Sequence, residues 1–201
     1  MLYLFYTFDQ QNTMSMKRLC SFSMALFFSV SMLFAQSGPH IYGIKSASLK
    51  IVTEMMEQKV EGDVWFDDYG AVQATVTKVA GTAINTIIRE GKTYSVDYAA
   101  KQVRESPIQQ ESINYLNITD EVIEKYNLKV IGKDTVAGKE CIKYSMVISQ
   151  MGQSVKAIVS VWNGYPMKMV NTIGSMVITV AVKEFIEGPV DASHFEIPTF
   201  E

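Results

Sequence analysis

The sequence predicts a mainly β fold of the α+β class, a large curled antiparallel sheet or half-open β-barrel with one or two short helices over its mouth. Three observations support this prediction. Apolar and polar residues alternate through most of the chain after residue 43, which is the period of half-buried strands. Short clusters rich in glycine, asparagine and aspartate separate these runs, as hairpin turns do. So many consecutive strands form a sheet that must curl, split or close.

Five strands are predicted in the first half of the chain. A turn at 67–70 separates the second strand from the third, and Gly91 marks a hairpin between the fourth and the fifth. Thr75 and Thr77 suit the pleated surface of the third strand. The five strands cover 44–52, 59–66, 72–79, 83–89 and 93–98.

The second half repeats this pattern. Asn163-Gly164 lies between two alternating runs, and this dipeptide is among the strongest short hairpin signals. Gly138 and Gly174 mark two further turns. The predicted strands cover 129–133, 139–149, 155–162, 165–173 and 175–185.

One helix is predicted at 120–126. Thr119 can cap its first turn, and Asn127 can adopt the left-handed conformation that ends a helix. Residues 99–117 are polar and contain Pro107. This stretch is therefore predicted to be a loop, with or without a short helix, that joins two β-meanders.

Two of the predicted strands have one clearly apolar face. Because side chains alternate along a strand, Phe185 is predicted on the less apolar face of the last one. The apolar face consists of Ile142, Tyr144, Met146 and Ile148 in 139–149 and of Met176, Ile178, Val180 and Val182 in 175–185. A sheet curled over an apolar interior explains this asymmetry.

Residues 1–35 are predicted to be an over-extended N-terminus followed by a secretory signal peptide. Lys17-Arg18 precedes an apolar run that ends at Ala35, which is the layout of an export signal. A membrane anchor is the alternative, but a span needs about 20 predominantly apolar residues, and serines interrupt this shorter run. The expected mature protein is a single β domain over 36–201, located in the periplasm, without a transmembrane span.

Composition argues against a nucleic-acid partner. The chain has 18 Lys and Arg against 21 Asp and Glu, a net charge of −3, whereas nucleic-acid binding needs a basic surface. The basic residues are scattered, so no polybasic membrane patch is predicted. Only Cys141 remains after residue 35, which excludes an internal disulfide in the expected mature protein.

No catalytic site is predicted. Cys141 with either histidine, His40 or His194, offers a nucleophile and a base in principle. A free cysteine more commonly behaves as a small buried apolar residue, and neither histidine lies in a pattern that would activate it. We therefore expect no enzyme activity.

No metal or other cofactor is predicted. Asp63, Asp67 and Asp68 carry the oxygen ligands that Ca²⁺ prefers. Beside Gly70, however, they match ordinary turn chemistry and no known metal-loop spacing.

Methionines and aromatic residues are the candidates for ligand contact. Methionine fills irregular cores and also lines surfaces that accept variable apolar ligands, and an aromatic residue at a barrel mouth can contact a ligand. The methionines after residue 35 are Met55, Met56, Met146, Met151, Met167, Met169 and Met176. The residues predicted to line an apolar cavity are Trp65, Tyr144, Met146, Met176, Ile178 and Val180.

Two segments resemble the periplasmic lipoprotein-carrier superfamily, the Lol-type carriers and receptors with their uncharacterised secreted relatives. Residues 136–144, VAGKECIKY, are similar to a segment before a central strand of that superfamily, and 189–198, PVDASHFEIP, to its C-terminal end. The resemblance spans most of 43–198. It implies a half-open antiparallel β-barrel with helices over its mouth and an apolar cavity for acyl chains.

The sequence thus favours a non-enzymatic periplasmic binding module that holds an acyl chain or lipid in a curled β-sheet. The expected partner is a lipid or an acylated protein. The alternative is a structural or protein-interaction module whose interior is filled by its own side chains. Uptake of a fatty-acid ligand distinguishes the two hypotheses.

Overall fold

The computed structural model describes residues 40–56, 58–79, 82–108, 113–150 and 153–200. The predicted signal segment at 1–35 lies outside these ranges, and so does Met151. Eleven strands, one α-helix and two 3-10 turns form in the described part of the chain.

The strands account for most of the described chain. Helix α1 (Asp120–Tyr126) lies between the sixth and seventh strands, and the 3-10 turns cover Asp68–Gly70 and Ala192–Phe195. The strands are β1 (Ala47–Met55), β2 (Gln58–Asp67), β3 (Val72–Val79), β4 (Thr82–Arg89), β5 (Lys92–Asp97), β6 (Gln102–Pro107), β7 (Lys129–Val136), β8 (Lys139–Gln150), β9 (Gln153–Trp162), β10 (Tyr165–Ile173) and β11 (Met176–Glu187).

The sheet consists of two meanders joined at its middle. The strand order is β6-β5-β4-β3-β2-β1-β11-β10-β9-β8-β7, and all neighbours are antiparallel. Because β1 pairs with β11, the first and last of the described strands are central neighbours, and β6 and β7 are the two edges. The sheet curls without closing. These features confirm the predicted curled antiparallel sheet.

Strand β6 corrects the prediction of a loop over 99–117. It pairs with β5 from Lys92 opposite Pro107 to Asp97 opposite Gln102. Its polar, mostly exposed residues hide the strand period, and its proline argues against a central strand. An edge strand tolerates both features, because one side of its backbone has no neighbouring strand to pair with.

Helix α1 has the bounds that its capping residues predict. The hydroxyl of Thr119 accepts a hydrogen bond from the backbone N–H of Val122 at 3.4 Å, and Asn127 is left-handed with a φ of 46°. The helix contacts β8. Over the described ranges, no helix has both the length and the apolar character needed to cross a bilayer.

Three hairpins of the described chain use the same two-residue turn, and in the first of them Glu90-Gly91 has φ values of 54° and 73°. Asn163-Gly164 has φ values of 46° and 78°, and Ala137-Gly138 has 49° and 75°. Two left-handed residues form the type I′ turn that matches the twist of paired strands, so the hairpin predicted at Asn163-Gly164 is confirmed. The surroundings differ, since a β-carbon at Gly138 would meet open space, whereas one at Gly164 would lie 2.9 Å from the carbonyl oxygen of Ile41.

The two faces of the sheet differ in burial, and the more buried one is called the core face here. On β11 it carries Ile178, Val180 and Val182, all of them buried. A bulge at Lys183 then shifts the pairing with β1, so Phe185 also lies on the core face. The prediction that Phe185 lies on the opposite face is wrong, because an extra residue reverses the alternation beyond it.

Aromatic residues pack one end of the core face. The Tyr42 ring lies 4.9 Å from the ring centroids of both Phe66 and Tyr165. Its hydroxyl donates to Oε1 of Gln73 at 3.4 Å, and Nε2 of Gln73 donates to the carbonyl of Gly70 at 3.2 Å. Burial raises the pKa of Tyr42 well above its ordinary value. The polar side chains at this end are thus paired within a packed aromatic cluster.

The C-terminal tail packs on the opposite face of the first meander. Phe195 is buried there against Ala74, Ile87 and Val96. Val190, Ile197 and Phe200 pack around the same cluster. The segment that resembles the end of the carrier proteins therefore closes a second, smaller core.

Candidate functional site

Five of the six residues predicted to line a cavity lie on the core face. Tyr144 and Met146 are on β8, and Met176, Ile178 and Val180 are on β11, with β9 and β10 between the two strands. Ordinary strand spacing places β8 and β11 about 14 Å apart. All five except the half-buried Met176 are buried. The structure therefore brings these five residues onto one apolar surface.

Two rows of side chains cross this surface from β8 to β1. Five strands at ordinary spacing make each row about 19 Å long. The first row consists of Met146, Ala157, Asn171, Ile178 and Met55. The second row consists of Tyr144, Val159, Met169, Val180 and Thr53. Both rows are predominantly apolar, and the first has a methionine at each end.

The residues before helix α1 cover the β8 end of the second row. The Tyr115 ring lies 5.5 Å from the ring of Tyr144. Ile113, two residues before Tyr115, is also buried. Burial raises the pKa of both Tyr115 and Tyr144. Both phenols are therefore neutral over the physiological pH range.

Asn171 is the one residue of the first row that the apolar pattern does not explain. It is 1% exposed, and its side-chain oxygen Oδ1 has no hydrogen-bond partner in the described part of the chain. Sequence reasoning did not select it. The sequence signal for it is a polar residue within the alternating run 165–173. It follows Met169 by two residues and therefore lies on the same face of the strand.

Trp65 does not join the other five predicted residues. It lies on β2 beside Val64 and Phe66, which face the core, so alternation places it on the opposite face. There it packs at the border of the C-terminal tail cluster and stacks on His194 at 4.0 Å. We therefore exclude Trp65 from the candidate site.

The two histidines and Cys141 each contact a different partner. His194 stacks on Trp65, and His40 lies 4.3 Å from the ring of Tyr69. The Cys141 thiol is buried and donates to the carbonyl of Lys139 at 3.4 Å. Burial is the largest of the effects that raise the pKa of this thiol. None of these contacts activates the thiol as a nucleophile.

Replacing Cys141 with serine is expected to leave the fold intact. The serine hydroxyl can donate to the same carbonyl, so the cost should be about 1 kcal/mol of unfolding free energy. In the wild type, the raised pKa leaves little thiolate at neutral pH, and iodoacetamide should modify Cys141 more slowly than a free cysteine peptide. Urea denaturation and mass spectrometry measure the two effects. Rapid stoichiometric alkylation would instead indicate an activated nucleophile.

Of the three aspartates considered as calcium ligands, two already have partners and the third, Asp68, is exposed. Asp63 lies 3.4 Å from the Lys50 ammonium group, and Asp67 accepts the backbone N–H of Asp68 at 2.7 Å. Throughout the described ranges, no cluster of three or more potential His, Cys, Asp or Glu metal ligands is present. The turn around Gly70 thus uses its acids for local structure.

Two cavities lie away from the core-face rows. One of about 320 Å³ includes Glu54, Lys168 and Lys183 in its lining, and one of about 410 Å³ lies between 44–46 and 187–190. Charged side chains at the first make it a poor match for an apolar chain. Neither cavity contains the five predicted core-face residues.

Comparison with known proteins yields similarity of structure only. No protein-family model matches the sequence, and no curated protein matches it. An uncharacterized conserved protein from Thermus thermophilus has a similar structure, with a TM-score of 0.53 and 14% identity over 77% of this chain and 86% of that chain. The two proteins share a fold.

A second similar structure is a chain of the MucA/MucB complex of Pseudomonas aeruginosa. It has a TM-score of 0.53 and 14% identity, and the match covers 76% of this chain and 56% of that chain. This chain therefore spans little more than half of that relative.

A third matching structure is less similar to this chain. A protein from Vibrio parahaemolyticus described as an outer membrane lipoprotein-sorting protein domain matches 75% of this chain and 89% of its own, with 11% identity and a TM-score of 0.38. This is a distant resemblance of fold and carries no statement about activity.

Proposed function

We propose that this domain is a non-enzymatic module that binds one apolar chain on the core face of β8–β11 and β1. The chain would be an acyl chain of a lipid or of an acylated protein. The observation that carries the proposal is the pair of apolar rows across five strands, with Met146 and Met55 at the ends of the first. Thioethers adapt to ligands of variable shape, which suits a site for flexible hydrocarbon.

The site has a physical reason to favour a chain over a compact ligand. Each row is long and narrow. Apolar contact between a chain and such a surface makes the binding free energy more favourable by about 25 cal/mol for each Å² removed from water. Ala157 is the smallest member of the first row. A chain lying along the rows would therefore pass most closely over the middle of β9.

The proposed compartment is the periplasm. The N-terminal segment would direct export and would then be cleaved. We expect Edman sequencing of the exported protein to begin at Gln36 or within a few residues of it, because the small residue Ala35 ends the apolar run. Membrane fractions provide the control. A membrane-embedded product that retains residues 19–35 would contradict the prediction.

A fluorescent fatty acid tests the binding proposal. We expect the wild type to bind a 16-carbon probe with micromolar affinity or better, and unlabelled fatty acids of several chain lengths to displace it. The measurement is fluorescence titration of protein purified after delipidation. A folded wild type that takes up no probe of any length would contradict the proposal.

The variant Ala157→Leu locates the site. In a ligand-binding interior, the added carbons occupy room meant for the chain, so probe affinity should fall about tenfold while stability changes little. In an interior already filled, the same change overpacks the core and costs about 1–3 kcal/mol. Met146→Leu is the matched control, because it conserves volume and should change stability by less than about 1.5 kcal/mol. Circular dichroism verifies that both variants fold.

The second candidate is a structural or protein-interaction module. Tight burial favours it, since Tyr144, Met146, Ile178 and Val180 are 8%, 5%, 2% and 2% exposed. A partner surface would then lie elsewhere, for example along edge strand β7, where Val130 is 66% exposed and unpaired backbone groups can accept another strand. Loss of stability without probe binding in the Ala157→Leu experiment selects this candidate.

A further inference from the structure

Asn171 stands out because it is a buried amide with an unpaired oxygen. It is 1% exposed, and Oδ1 has no hydrogen-bond partner in the described ranges. Gln73, also on the core face, differs, since its Oε1 accepts from Tyr42 and its Nε2 donates to Gly70. Buried polar side chains in native proteins nearly always have a partner. An exception in the middle of an apolar surface requires an explanation.

The neighbours of Asn171 on the core face offer no donor. The register places Ala157 on one side and Ile178 on the other. Along its own strand, Met169 and Ile173 occupy the same face. Hydrocarbon and thioether groups cannot donate a hydrogen bond to Oδ1. The neighbours of Asn171 in the sheet therefore leave Oδ1 unpaired, and a donor on a molecule lying on these rows would pair with it.

We propose that Asn171 recognises a hydroxyl group carried by the apolar chain, an inference that rests on the proposed function. A hydroxyl is small, and it can donate to the side-chain carbonyl and also accept from the side-chain amide N–H. Surrounded by apolar residues, this hydrogen bond has no competition from bulk water and removes the cost of an unpaired buried oxygen. The class of ligand is thus a hydroxylated acyl chain, and Asn171 determines which carbon of the chain carries the hydroxyl that is bound.

Matched fatty acids test this inference. Tetradecanoic acid is compared with analogues that carry one hydroxyl at carbon 3, 8 or 12, by displacement of a fluorescent fatty acid. We expect at least one analogue to bind the wild type about fivefold more tightly than the parent acid. Asn171→Leu preserves the branched shape but removes the polar atoms, so the ratio of the two affinities should fall to about one. Val170→Ala, on the same strand but on the opposite face, should keep the preference.

The possible results separate this inference from the proposed function. If no fatty acid binds the folded wild type, the proposed function fails and this inference fails with it. If the parent acid binds but no hydroxylated analogue binds more tightly, or if Asn171→Leu keeps the preference, then the proposed function stands and the role of Asn171 is overturned. Asn171→Val provides a smaller apolar replacement should Asn171→Leu not fold. If neither variant folds, the wild-type comparison still tests the inference, because equal affinities for the parent acid and every hydroxylated analogue would overturn it.

Discussion

Ile178→Asp is expected to lower the unfolding free energy by about 4 kcal/mol or more. Ile178 is 2% exposed on the core face and lies between Asn171 and Met55 in the first row. The substitution removes a buried apolar side chain and places a carboxylate where no basic group of the row can pair with it. Because a domain of this size is stable by only about 5–15 kcal/mol, the variant should lose a large fraction of its stability. Urea denaturation followed by circular dichroism measures the change.

Val177→Asp is the matched control for that variant. Val177 precedes Ile178 on the same strand but is 48% exposed on the opposite face. Its replacement should cost about 1 kcal/mol or less, the range of strand propensity. Equal losses for the two variants would contradict the assignment of faces, and a small loss at Ile178 would indicate an interior open to water.

Gly164→Ala is expected to destabilise the protein by about 3 kcal/mol, from two additive causes. A non-glycine residue in the left-handed conformation costs about 1–2 kcal/mol, and overpacking a tight site adds about 1–3 kcal/mol. The new β-carbon would lie 2.9 Å from the Ile41 carbonyl oxygen and 2.8 Å from Cγ of Leu116. The turn, residue 41 and the segment before α1 must then separate.

Gly138→Ala isolates the first of these causes. Its φ of 75° nearly equals the 78° of Gly164, but a β-carbon at Gly138 has nothing within 4 Å. We expect this variant to lose only about 1–2 kcal/mol. Chemical denaturation of the two variants in parallel gives the difference, and identical losses would show that the contact with Ile41 does not constrain the turn.

Most of the fold was predictable from short-range pattern. The hairpin at Asn163-Gly164 and the caps of helix α1 at Thr119 and Asn127 depend on local backbone chemistry, which the residues themselves express. Strand β6 was not predictable in this way. Its existence depends on pairing with β5 at an exposed edge, where polar residues and a proline carry no penalty.

The candidate site was predictable in part, for the same reason. Alternation correctly placed Tyr144, Met146 and Ile178 on one face, because no irregularity interrupts the pairing there. It misplaced Phe185, because the bulge at Lys183 has no signature in the residue pattern. Trp65 was grouped with the site by residue type alone, and its actual partner, the C-terminal tail, is distant in sequence.

The pairing of β1 with β11 has a consequence for how the domain folds. Each meander contains only sequence-local pairings, and hairpins of that kind can form in microseconds. The seam from Ala47 opposite Glu187 to Met55 opposite Ile178 instead joins the two extremes of the domain, and closing so long a loop is entropically costly. Contacts of this range slow folding. Until both ends are available, two half-sheets would each expose an unpaired apolar strand, so newly synthesised chains should need protection from aggregation until the seam closes.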